Sequence, residues 1–258
     1  TYAILFIEEQ LLHIDFKPGS TIFSLMGLVL GLLLVFRTNT AYDRWWEGRR
    51  MLGQLVNNTR NLAMKLSAYL PQDDLVNRTF FSSMIGNYGV AMKEHLRNGV
   101  LIEELDLTPE EVSDLKSFAH IPNKISLLIY ERINQLTKEG TFTMEQFLSL
   151  DKMAEGLADV MGACERIRNT PIPLSYSIHL KKFLFFYIAI LPYGIMHELG
   201  YWTILIMMLV FYAFTGLEVI GEEIEDPFGK DINDLPTDAI SYKIRENVKE
   251  ILLNNYGA

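Results

Sequence analysis

From Thr21 to Phe36 the chain reads TIFSLMGLVLGLLLVF, without a charged position, and then turns polar through Arg37, Arg44, Arg49 and Arg50. A surface helix carries only a stripe of apolar residues, so a run this uniform belongs elsewhere. It falls slightly short of the roughly 20 residues that a full bilayer span needs. The arginines and the Trp45-Trp46 pair mark a membrane exit on the cytoplasmic side, because basic residues collect there and tryptophan rings settle at headgroup level. No proline occurs from Thr21 until Pro71, so a single helix of roughly 50 residues is predicted to start in lipid and continue beyond it. In its later half Leu52, Leu55, Val56, Leu62, Met64 and Leu66 recur between polar residues, which is amphipathic helical spacing.

The rest of the chain is also helical in pattern. Asp73 to Gly99 reads as an amphipathic helix. Thr108-Pro109-Glu110-Glu111 is a helix start, with an N-cap threonine, proline at the first position and acids in the first turn. Pro122 is expected to break the chain, with helices following over Ile125–Lys138 and Thr143–Asn169. Thr143 and Gln146 have the spacing of a capping box. Pro171-Ile172-Pro173 is a hard break. Beyond Lys181-Lys182, two apolar stretches, Phe183 to Ile195 and Tyr201 to Phe214, read as a hairpin of two spans with an outer turn near His197 to Tyr201. Lysines before the hairpin and Glu218, Glu222 and Glu223 after it place both its ends in the cytoplasm. A closing amphipathic helix is expected over 238–258, and no segment alternates with period two long enough for a strand.

Composition sharpens this picture. With 258 residues, 49% hydrophobic and 21% charged, and a mean hydropathy of +0.13, the chain is too apolar for two soluble domains and too charged for a bare membrane bundle. A net charge of −9 speaks against nucleic acid, whose phosphates want clustered Lys and Arg, and favours a cation-attracting surface. The single cysteine, Cys164, cannot form an intrachain disulfide and fits a reducing compartment. Thr1 opens inside an apolar stretch, TYAILFI, so part of a first membrane helix is expected to precede it. A helix that couples membrane to solvent suggests a pore or transporter more than a soluble enzyme.

Three separated segments resemble the bestrophin family of ion channels. They are the membrane helix feeding Tyr42-Asp43-Arg44-Trp45-Trp46-Glu47, the double proline around Ile172, and Asp226-Pro227-Phe228-Gly229 followed by Asp231 and Asp234. The resemblance covers nearly the whole chain, and the short acidic link from Gly229 to Leu235 is closer to bacterial members. It implies an all-α membrane bundle continuous with a helical cytosolic domain, assembled as a homopentamer around a central pore. Residues 1–258 would then form one unit, with membrane segments at about 1–7, 21–37, 183–196 and 201–215 and cytosolic helices over about 40–180 and 216–258. The setting implied is a bacterial inner membrane, with a multi-pass chain and a large cytoplasmic domain. The family's hydrophobic neck falls on Leu28, Leu32 and Phe36, and its cytosolic exit constriction on Ile172. Asp231 and Asp234 match calcium-binding positions of animal members. Lys230, Ile232 and Asn233 interrupt the acidic run here, so turn formation and capping are the preferred reading, and calcium is possible but not favoured.

Leu28, Leu32 and Phe36 are spaced by four and share a helix face, and their residue types alone would equally suit lipid or a core. Gly27 and Gly31 have small-xxx-small spacing and would let helices approach closely. Arg44 is expected to pair with an acid, whether Asp43, Glu47 or one on another subunit. His197-Glu198 suits a solvated outer turn better than a metal or proton site. His13, His95, His120 and His179 show no ligand spacing, and no phosphate loop, nucleophile motif or paired-cysteine zinc motif is present. No metal, cofactor or enzyme activity is therefore expected. The function expected is conduction of monovalent ions, with sodium favoured over chloride. The rivals are an anion channel, a non-conducting membrane scaffold and a membrane enzyme.

Overall fold

A computed structural model describes residues 20–97, 99–116 and 118–253. Among these the structure is helical, with no strand. Its helices are α1 (Ser20–Tyr69), α2 (Leu75–Arg97), α3 (Pro109–Lys116), α4 (Ile121–Lys138), α5 (Met144–Asn169), α6 (Leu174–Leu199), α7 (Trp202–Glu223) and α8 (Thr237–Leu253), with a short 3₁₀ turn at Ile102–Glu104. The expected membrane segment over 1–7 lies outside the described residues. The chain divides into two compact units. One takes the described chain up to Trp45 together with Pro171–Asp226, and the other takes Trp46–Thr170 and the chain from Pro227 onward. Helix α1 therefore contributes to both.

The first unit joins the early half of α1 to α6 and α7. Phe23, Leu30 and Leu34 of α1 are buried with Leu180, Leu184, Tyr187 and Leu191 of α6, and Met207, Val210 and Phe214 of α7 pack against them. Outward-facing positions stay apolar: Phe185, Phe186, Leu205, Met208, Leu209 and Phe211 are all more than half exposed. Such a surface suits lipid, in which apolar side chains need no cover. Each of the three helices is long and apolar enough to cross a membrane. Helix α6 begins directly after the double proline, continues through Pro192, and ends only at Leu199. The hairpin turn is thus tighter than expected. His197 and Glu198 belong to the last turn of α6, and the reversal falls at Gly200, whose φ of +52° a glycine adopts without strain.

The second unit packs α2 against α8 and α4, and α4 against α5. Its helix ends are closed by side chains. Arg78, wholly buried, donates from Nη2 to the carbonyls of Ser67 and Leu70 and from Nε to that of Pro71, covering acceptors that the end of α1 leaves without helical partners. The Thr143–Gln146 capping box forms in both directions, and Thr108 and Glu111 form a second one. Pro122 does not break the chain. It lies in the first turn of α4, where its missing N–H has no helical partner to lose.

Candidate functional site

On α1 the buried positions Phe23, Leu30, Leu34, Arg37 and Ala41 turn toward the first unit's core. Leu28, Leu32 and Phe36 turn away, at 61%, 50% and 62% exposure, and form one ridge of residues four apart. The ridge continues to Ser24 one turn before and Thr40 one turn after, both exposed. Three apolar residues are therefore bracketed by hydroxyls, and the Thr40 hydroxyl donates back to the Phe36 carbonyl. The paired glycines do not behave alike. A Cβ on Gly27 would press on the Tyr187 hydroxyl of α6, whereas one on Gly31 would meet nothing within 4 Å. Of this pair, Gly27 alone mediates a close approach within the chain.

Arg37 follows Phe36 but points the opposite way. It is 2% exposed, with Nη1 2.7 Å from Oε1 of Glu218 and Nη2 3.7 Å from Oε2 of Glu225. Lys181 stands 3.5 Å from Glu218 and 2.8 Å from Glu222. Arg37, the first of the arginines at the end of the apolar run, is thus held in a buried ion pair, its charge offset where water is scarce. Glu225 also accepts the Ile172 backbone N–H at 2.9 Å, so the same carboxylate faces Arg37 and holds the double-proline turn. Ile172 itself is 9% exposed, and in a single chain it presents only an edge. The Arg44 Nε donates to the Glu225 carbonyl, and Glu47 pairs with Arg166. Tyr42 and Trp45 stack with centroids 6.2 Å apart.

Asp231 and Asp234 form a turn of their own. The Asp234 carboxylate accepts the Asp231 backbone N–H at 2.6 Å, and the Asp234 N–H donates to the Asp231 carbonyl at 3.1 Å. The Leu235 N–H donates to the Pro227 carbonyl, so the acidic residues close a loop at the start of α8.

The fold also assembles a group that sequence spacing did not show. His95 lies in the last turn of α2, His120 caps α4, and Glu165 lies on α5. The two Nε2 atoms stand 2.9 and 3.0 Å from the same Glu165 oxygen, and the ring centroids are 4.2 Å apart. Partial burial pushes the Glu165 carboxyl up, but the hydrogen bonds from His120 and His95 outweigh it and hold its pKa below the usual glutamate value. The residues are 25 and 45 positions apart in sequence, and the only local sign was His120 preceding a helix start. Among the described residues no other group of three His, Cys, Asp or Glu side chains converges in this way.

The fold and the apolar helices define a helical membrane protein. Residues 1–250 match the model of the bacterial and fungal bestrophin family, and the chain belongs to that family. It is 42% identical over 230 residues to a voltage-dependent anion channel-forming protein of Nostoc, covering 87% of this chain and 75% of that one. A protein of the same name from Escherichia coli is 30% identical over 240 residues, covering 92% and 78%. A crystal structure of a bestrophin homologue from Klebsiella pneumoniae superposes with a TM-score of 0.90 at 27% identity, covering 97% of this chain and 92% of that one.

Proposed function

We propose that the chain is a subunit of a membrane ion channel in which copies of itself surround a common axis. Leu28, Leu32 and Phe36 of each copy face the ion path. Five copies would stack three apolar rings, which can gate by dewetting without a solid plug. The observation that carries this reading is the ridge: exposed apolar residues bracketed by Ser24 and Thr40, on a helix whose next charge, Arg37, is withdrawn and paired. Family membership supports conduction. Ile172 serves as the exit constriction, with its turn held by Glu225. Basic residues at Arg37, Arg49, Arg50, Lys181 and Lys182 favour a cytoplasmic position for the larger unit, in a bacterial inner membrane. No calcium dependence is assigned, because the Asp234 carboxylate serves the backbone of its own loop.

For the sign of the ion, the relatives' names favour anions, and monovalent anions are the preferred reading. Sodium preference, expected from the net charge of −9, gains no support from these names and stands as the second reading. Purified protein in planar bilayers under a NaCl gradient separates them. A reversal potential near the chloride value supports the first, one near the sodium value supports the second, and no current refutes the channel. Leu32→Ala widens the middle ring and raises the flux; an unchanged current removes Leu32 from the path.

A further inference from the structure

We propose that His95, His120 and Glu165 form a binding site for a divalent transition metal of the Zn²⁺ class in the helical body of the protein. Helices α2 and α5 and the N-cap of α4 each supply one donor, and all three donor atoms lie within 4.8 Å of one another. Two imidazoles and a carboxylate are a donor set that suits zinc, and three protein ligands leave a fourth position for water. The set carries one negative charge when the imidazoles are neutral, complementary to a divalent cation. Side-chain exposures of 23%, 28% and 32% give an ion a way in.

Zinc holds nitrogen and oxygen donors at about 2.0–2.2 Å, so in a tetrahedron they stand roughly 3.3 Å apart. The two nitrogen–oxygen separations of 2.9 and 3.0 Å need open only by tenths of an ångström. A hard cation such as Ca²⁺ is a poor occupant, because it wants six to eight oxygens.

The proton positions give the site a particular character. His120 Nδ1 accepts the Asn123 backbone N–H at 3.2 Å as the cap of α4. A ring nitrogen that accepts carries no proton, so in the metal-free protein His120 holds its proton on Nε2 and donates it to Glu165. Metal at Nε2 moves that proton to Nδ1, against the Asn123 N–H, and the cap bond is lost. No proton is released from a neutral ring; the tautomer alone changes. Binding therefore competes with the start of α4, which makes the site weaker than a structural zinc centre and couples its occupancy to local order. The site's existence does not depend on conduction.

The test is a titration of the untagged, detergent-purified full chain with Co²⁺, followed by visible absorption, and with Zn²⁺ by calorimetry. The expected result is one saturable ion per chain. Glu165→Gln is close to isosteric and should weaken binding at least tenfold. His120→Asn removes the ligand yet keeps a side-chain acceptor at the cap, and should do the same with helical circular dichroism unchanged. The proposal is overturned if the parent protein shows no saturable binding. It is equally overturned if both variants, folded, bind as the parent does, since the ion then sits elsewhere.

Discussion

Replacing Glu218 by glutamine leaves the Arg37 guanidinium buried with its nearest partner neutral. The side chains of this pair are 2% and 9% exposed and 2.7 Å apart. Two unit charges about 4 Å apart interact by about 4 kcal/mol at an effective dielectric of 20, and most of this is offset by the cost of taking both ions out of water. The pair's net worth is therefore small, but orphaning one member is costly, typically about 3–5 kcal/mol. Here each ion has a fallback: Glu225 lies 3.7 Å from Arg37, and Lys181 lies 3.5 Å from Glu218. We expect Glu218→Gln and Arg37→Met each to cost about 2–3 kcal/mol, below the usual range for this reason. At about 2–4 °C per kcal/mol for a chain of this size, the melting temperature falls by about 4–12 °C. The double variant Arg37→Met, Glu218→Met should recover at least half of the summed loss, because two well-packed apolar side chains replace the ions at little cost. The assay is thermal unfolding in detergent, followed by loss of the monodisperse chromatographic peak and arranged as a double-mutant cycle. Additive single effects, or a Glu218→Gln melting temperature within 1–2 °C of the parent, would refute the argument that burial sets the cost.

Two further outcomes rest on local contacts. Gly27→Ala brings a methyl against the Tyr187 hydroxyl and should cost about 1–3 kcal/mol by overpacking, whereas Gly31→Ala meets nothing within the chain and should leave its stability unchanged; equal losses in thermal scans would contradict this. Hydrogen bonds from Arg97, opposed by slight burial and reinforced by Lys93, hold the Asp238 carboxyl well below its usual range. Its contribution is therefore present above the unfolded value near 4 and lost as the pH falls from there toward the folded value. Because the side chain is 64% exposed, Asp238→Asn should cost only about 0.5–1 kcal/mol at pH 7 and flatten the acid limb of a stability-against-pH curve. A parallel limb would sink that assignment.

The elements themselves were legible because their signals are local. The absence of proline from Thr21 to Pro71 gave α1 almost to its ends, and Thr108 and Thr143 announced their helices through side chains that reach only three residues on. Pro122 misled because a proline's effect depends on where in the helix it falls, and the start of α4 is set by His120, whose capping role needs the folded backbone. The turn at Gly200 was blurred toward His197 because polar residues at a helix end and in a loop look alike in sequence.

Sequence alone decided which stretches are helical, which are apolar enough for lipid, and where Leu28, Leu32 and Phe36 fall along one ridge, since these follow from spacing along the backbone. Tertiary structure alone decided that Arg37 meets Glu218 across 181 positions, that Glu225 holds Ile172, and that His95, His120 and Glu165 converge. Pairing of charges and donors is short-ranged in space and indifferent to distance along the chain, so only packing can bring such partners within reach.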